Sequence, residues 1–273
     1  MGNYSYLSRD NFKLRFADTA TTDDGLYRIV LEAVSELLDE DVHRSFRSYL
    51  ATRYYTAKYG GHLDLPDGND LISVTTLKTD PDDDQDYDDT WATTDYQLEP
   101  INAQVDRRPY YRIRTKSQGV RTFPTSNWGV ELVGKWGFWE DLETSPSTTA
   151  EVLDTTETGV DVTAGTDFDV LDTILVDSEQ MYVTAIATNT LTVVRGVNGT
   201  TAATHVTASV IQRYKYPGPV VEACGIQAAR YFMRKNAPFG VLGSADVGFV
   251  RLQSKLDPDV MALLDPYRLV AVA

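Results

Sequence analysis

From Pro219 to Phe232 the chain reads Pro-Val-Val-Glu-Ala-Cys-Gly-Ile-Gln-Ala-Ala-Arg-Tyr-Phe, a helical segment with too little polar surface to lie on the outside of a protein. Its punctuation is complete. Pro219 suits the first helical position and Glu222 the first turn, while Arg234 and Lys235 suit the last turn, with Asn236 as the cap and Pro238 beyond. Val220, Val221, Ala223, Cys224, Ile226, Ala228, Tyr231 and Phe232 cover more than one face, so this helix must be buried on several sides or lie between subunits. A Gly-rich segment over 240–248 follows, then a short helix held between the steps Asp257-Pro258 and Asp265-Pro266.

Two helices open the chain. Ser8 can cap the first, with Leu7 and Phe12 as its hydrophobic staple, and it ends near Ala17. The second runs over about 23–44, with Thr22 as cap and Asp23 and Asp24 at the positive end of its dipole. Leu26, Ile29, Val30, Ala33, Leu37, Leu38 and Val42 keep to one stripe, with Glu32, Glu36, Glu40 and Asp41 towards the other side.

From Tyr49 the pattern changes to aromatic and β-branched runs, among them 53–59, 71–78, 110–114 and 130–136. Thr144-Ser-Pro-Ser-Thr-Thr149 is a composition break that reads as a linker. Beyond it, 144–213 carries nine acids (Glu151, Asp154, Glu157, Asp161, Asp167, Asp169, Asp172, Asp177, Glu179) against Arg195 and Arg213, a net −7 of the chain's −15. Strands over 174–177, 180–186 and 190–195, with turns at Thr188-Asn189 and Asn198-Gly199, make it a small separate β-domain whose ends lie close together. Its removal is expected to spare the rest.

The organisation expected is therefore α+β: N-terminal helices over 1–48, a β-subdomain over 49–143, the acidic β-domain over 144–213, and C-terminal helices and tail over 214–273. The charge of −15 argues against a nucleic-acid grip, which needs clustered Lys and Arg to displace counterions. The single cysteine, Cys224, can form no internal disulfide and reads as a small buried hydrophobe. The N-terminus lacks a signal-peptide pattern, and no apolar run approaches a membrane span, so no membrane is expected.

Chemistry is represented by near misses. Gly129-x-x-x-x-Gly134-Lys135 matches a phosphate loop until Trp136 replaces the required Ser or Thr, and its residues alternate as a strand. Asp80-Pro-Asp82-Asp83-Asp84-Gln-Asp86 resembles a calcium loop but lacks the Gly at its sixth position and the Glu at its twelfth, where Trp91 stands. It reads as a solvated turn. His43, His62 and His205 stand in different segments without ligand spacing and read as surface or helix-end residues, and no catalytic motif joins them. Trp128, Trp136, Trp139 and the sixteen tyrosines suit a sugar platform less well than core and interface packing. No catalytic residue, cofactor or metal is expected.

Taken in order, the segments show a resemblance. The helix pair ending Val42-His-Arg-Ser-Phe46, the β-insert with Leu71–Lys78, Asp95–Pro100 and Val130–Phe138, the helix opening Pro219–Cys224 and the end segment Asp257–Tyr267 resemble the head–tail connector (adaptor) proteins of long-tailed bacteriophages. This covers roughly 1–142 and 214–270. Separately, Asp177–Ala185 through Leu191–Thr200 to His205 is similar to a small β-module recurring in phage structural proteins, one the adaptor family usually lacks.

The resemblance implies a helical-bundle core with an inserted β-subdomain, here joined by a separate all-β insertion. It implies a virion protein of the neck, made in the host cytoplasm, that forms a ring, commonly dodecameric, beneath the portal protein. DNA passes through the lumen without sequence-specific binding, and a stopper or other tail-side neck protein docks below. Relatives reach the portal with the C-terminal segment, which here points to Leu256, Val260, Leu263, Leu264, Tyr267 and Arg268. The apolar helix would pack the ring through Val220, Cys224, Ala228, Tyr231 and Phe232. The alternatives are another neck or tail protein, such as a stopper or tail terminator, and a carbohydrate-binding surface protein.

Overall fold

The computed structural model describes residues 3–66, 68–116, 121–236, 241–242, 250–251 and 256–269. The chain divides into two compact units, one of 1–42 with 141–268 and one built from 43–140. Among the described residues there are fifteen strands and five α-helices, so the protein is mostly β. The expected helical-bundle core is not formed. Three of the helices span only four to seven residues, too short to enclose a core, and three larger sheets take that place.

In the first unit, α1 (Arg9–Leu14) starts on Ser8, whose Oγ accepts the Asn11 N–H, and ends before Ala17, which takes a left-handed φ of 49°. Helix α2 (Asp24–Val42) buries Tyr27, Val30, Leu31, Val34, Ser35, Leu38 and Val42. That stripe is turned about one residue from the expected one, so Ile29 and Ala33 face solvent while Glu32 is covered.

The second unit packs two antiparallel sheets on one core. Strands β1 (Tyr49–Tyr55), β2 (His62–Asp64), β3 (Leu71–Thr79), β4 (Asp89–Thr90) and β5 (Tyr96–Glu99) precede the short α3 (Ala103–Asp106), and β6 (Arg112–Thr115) and β7 (Val130–Trp136) follow it. One sheet has the order β1-β7-β3-β4 and the other β2-β6-β5. Between them lie Tyr55, Leu63, Leu71, Leu77, Trp91, Tyr96, Ile113, Leu132 and Trp136. Alternate residues of β7 are buried, the period-two pattern of a half-buried strand.

The chain re-enters the first unit through β8 (Asp141–Thr148), β9 (Gly159–Asp161), β10 (Thr173–Val176), β11 (Glu179–Ala187), β12 (Thr190–Val194) and β13 (Val210–Lys215), in the order β8-β13-β10-β11-β12-β9. The end strands meet. Thr163 N–H donates to Thr148 O at 3.0 Å and Ala150 N–H to Asp161 O at 2.7 Å, closing the sheet into a barrel around Leu153, Val160, Ile174, Met181, Val183, Leu191 and Ile211. The expected linker 144–149 is thus mostly strand. Thr144 pairs with Gln212 and Thr148 with Val210, so a bulge at Ser145–Ser147 accommodates Pro146.

Nor is the barrel a separate domain. Arg9 N–H donates to Val170 O at 2.9 Å, Val170 N–H to Asp10 Oδ2 at 3.2 Å, and Ser8 Oγ and Asn11 Nδ2 both bond Asp169 Oδ2. These contacts tie α1 to the barrel. Beyond it, α4 (Gly218–Met233) packs against α2 and against α5 (Pro258–Leu264), which Asp257 caps by accepting the Asp259 N–H. Two strands of two residues each, β14 (Val241–Leu242) and β15 (Val250–Arg251), pair antiparallel between α4 and α5 in sequence. The rest of the Gly-rich 240–248 segment, and 270–273 of the expected tail, fall outside the described residues.

Candidate functional site

A dense polar cluster lies in the barrel, where β11 opens with Glu179. Its side chain is fully buried and grips Arg195 with both oxygens, Nε to Oε1 at 2.6 Å and Nη2 to Oε2 at 2.7 Å. Gly196 N–H donates to Oε1 at 3.0 Å, and Ala203 N–H to Oε2 at 2.9 Å. The remaining Arg195 N–H groups reach the carbonyls of Asp154, Glu157 and Ala203 at 2.7–2.9 Å, so all five donors of the guanidinium are used. His205, buried and not on the surface as expected, places Nε2 2.9 Å from Glu179 Oε2 and Nδ1 2.7 Å from Asp177 Oδ2.

Burial alone would raise the Glu179 pKa. The Arg195, Ala203 and His205 contacts outweigh it and hold the carboxyl down to about 2. The loop after β12 is fixed by the same group. Asn198 (φ 55°) and Gly199 (φ 79°) turn it, Asn198 Nδ2 bonds Gln180 Oε1 at 2.8 Å, and Thr200 Oγ1 accepts the Gln180 N–H at 3.0 Å. Glu179, Arg195, Asn198, Thr200 and His205, which lie in the stretch similar to the β-module, thus spend polar atoms on fixing this loop and the chain around it. Reading the histidines one segment at a time missed the cluster; the ion pair spans sixteen residues and left no short spacing to find.

The phosphate-loop and calcium-loop patterns are also engaged in structure. Gly134 is a buried strand residue, and a Cβ there would stand 2.7 Å from Ser73 O. Asp80, Asp82 and Asp84 bring carboxylate oxygens within 4.8 Å of one another. Asp80, however, is buried and accepts the N–H groups of Asp83, Asp84 and Gln85 at 2.8–3.3 Å. Burial opposes its ionisation, yet those three donors hold its pKa below the usual range. Asp82 is raised, chiefly by the charge of Asp84.

Of the residues assigned to ring packing, Val220, Cys224, Ala228 and Phe232 are buried within their own subunit, and Tyr231 is half-buried. Cys224 Sγ lies 3.7 Å from Ser35 Oγ, and burial pushes its thiol up to about 12. Of those assigned to the portal, Leu256, Val260 and Leu264 are buried, and Leu263, Tyr267 and Arg268 are half-buried. Arg268 donates to Asp41 O at 2.9 Å and Asp41 Oδ2 at 2.5 Å. The structure brings these six together around α5 and spends Leu256, Val260 and Leu264 on packing inside the subunit.

No protein-family model matches the chain. No curated protein matches it. Among solved structures it is similar to a chain in the neck of an empty GTA particle computed with C6 symmetry, at 13% identity and a TM-score of 0.44, over 98% of this chain and 92% of that one. At that score the likeness carries no argument about what this chain does. Among the described residues, no helix is long and apolar enough to cross a membrane.

Proposed function

We propose that this chain is a structural subunit of the neck of a phage-like particle, an adaptor that assembles with copies of itself into a ring beneath a portal and lets DNA through the lumen. The observation that carries this reading is the use to which the module's polar residues are put. Glu179, Arg195 and His205 form a buried staple whose mutual hydrogen bonds close the barrel. They serve rigidity, as a particle component requires. The order of segments resembling the adaptor family supports the more specific role, and the net charge of −15 suits a lumen that DNA must cross without sticking.

The predominance of strands favours a second reading, a mainly β neck or tail protein such as a stopper or tail terminator. Negative-stain imaging of the purified chain, alone and mixed with portal rings, separates the two. Rings that stack on the portal support the adaptor. Binding only at the tail end supports the second reading, and monomers that join neither overturn both.

A further inference from the structure

Strand β1 is an edge. It pairs with β7 through all seven residues, and its other side has no strand partner among the described residues. The other edges of these two sheets are shorter: β4 has two residues, β2 three and β5 four. Proteins usually blunt a long edge with Lys, Pro or a bulge. Tyr-Leu-Ala-Thr-Arg-Tyr-Tyr has no Lys or Pro, its one charge, Arg53, is stacked inward on Trp136, and its register with β7 is unbroken.

An open groove of about 660 Å³ adjoins β1, lined by Thr52, Arg53, Tyr54, Tyr55, Tyr87 and Trp128 among others. Tyr54 and Trp128 are 46% and 52% exposed. Tyr87 steadies both, with its ring 5.3 Å from that of Tyr54 and its hydroxyl donating to Trp128 O at 2.7 Å. The Tyr55 hydroxyl is buried and has no hydrogen-bond partner among the described residues. Arg53, the only cation among the described lining residues, is held on the core-facing side. Its guanidinium lies over Trp136 at 4.7 Å and donates to the Tyr49 hydroxyl at 2.7 Å.

The loop that brings Tyr87 to the groove supplies the charge. Asp82, Asp83, Asp84, Asp86 and Asp88 are exposed, and none is ion-paired among the described residues. Crowding already raises the pKa of Asp82. Unneutralised carboxylates beside exposed aromatic faces favour an ammonium or guanidinium group.

We propose that the free edge of β1 docks an extended, lysine- or arginine-bearing segment of a partner protein, which adds to the sheet as a fifth strand. Backbone pairing along β1 supplies the strip, Tyr54 and Trp128 receive alternate side chains, and the aspartate loop holds the cations. This goes beyond the neck reading and does not depend on it.

The test uses the full chain and an eight-residue acetylated peptide alternating Lys with Val and Thr, with a Glu-for-Lys peptide as control. The lysine peptide is expected to bind, to slow amide exchange at Thr52–Tyr55, and to weaken as salt is raised. Joint replacement Asp82→Asn, Asp84→Asn and Asp86→Asn should weaken it about tenfold. These side chains are exposed, and the salt titration of the unaltered protein makes the same point without a variant. Equal binding of the Glu peptide, no binding of the Lys peptide at millimolar concentration, unchanged β1 exchange, or unchanged affinity in the triple variant would each overturn the proposal. So would self-association through β1 that Tyr54→Ala abolishes, because the occupant would then be a second copy of the chain.

Discussion

The hydroxyl of Tyr182, on the barrel strand β11, donates a 3.1 Å hydrogen bond to Glu32 Oε1 on α2, and both side chains are shut away from solvent. Arg28 Nε also donates to Glu32 Oε1, at 2.9 Å. A buried carboxylate that loses a donor keeps its desolvation cost, so Tyr182→Phe should destabilise the protein by about 1–3 kcal/mol. Helices and barrel should still melt in one transition, seen as coincident far- and near-ultraviolet circular dichroism curves. Excising 144–213 should expose Glu32 and the Asp169 contacts of α1, and the helices should lose cooperative unfolding. That is the reverse of what the sequence suggests.

Glu179→Gln keeps shape but leaves the Arg195 charge buried without its counter-ion. Removing one partner of such a pair costs about 3–5 kcal/mol. The folded pKa of about 2 lies below the ordinary 4.5, so the stabilisation is fully present above 4.5 and drains away as pH falls towards 2. Thermal melts across this range should show an acid limb in the unaltered protein that is much flatter in the variant.

Asp172 behaves in the opposite sense. Burial raises its pKa from 3.8 to about 6, against the N–H of Asp169, which donates to its Oδ2 at 3.0 Å. The folded state holds the proton more tightly, so this group favours folding most below 3.8, and its contribution declines as pH rises to about 6 and then levels off. Asp172→Asn retains an acceptor for Asp169 and removes the buried charge. It should raise stability at pH 7 by about 1–2 kcal/mol, discounting the full shift for partial solvent access. Denaturant midpoints at pH 4 and pH 7 check this: the gain should appear only at the higher pH.

Val260 and Leu264 are fully buried where α5 meets α4, and Asp257 N–H bonds Gln227 Oε1 at 3.2 Å. Val260→Ala and Leu264→Ala should each cost about 2–4 kcal/mol through the cavity left behind. Truncation before Leu256 should lower the melting temperature of the first unit, which calorimetry can follow. A truncated chain as stable as the whole would show that α5 contributes no packing energy.

Element ends were legible where a local device sets them. Ser8, Asp257 and the Asn198-Gly199 turn act through neighbours within a few residues, and the chain obeys them. What could not be read locally depends on distant partners. The face of α2 is fixed by Tyr182 and α4, which turn the stripe by one residue and cover Glu32. The Ser-Thr-Pro run became strand because β13 pairs with it and a bulge accommodates Pro146. The candidate site followed the same division. Its residues Arg195 and His205 stand in segments that carry no mutual spacing, and Glu179 joins them only once the barrel closes.

Asp141 and Lys215, where the chain enters and leaves the barrel, are register partners on β8 and β13. Tension drawing these two points apart would run along the direction of the inter-strand hydrogen bonds, so it would break them one after another and not all at once. The stem would open like a zip under modest force, helped little by Lys215 and Arg213, whose ion pairs with Glu143 lie near the surface. Beyond the stem, the load would meet the closure at Thr148–Thr163 and the Arg195 staple, which bind strands distant in sequence. Mechanically, the barrel is a compliant tether with a hard stop.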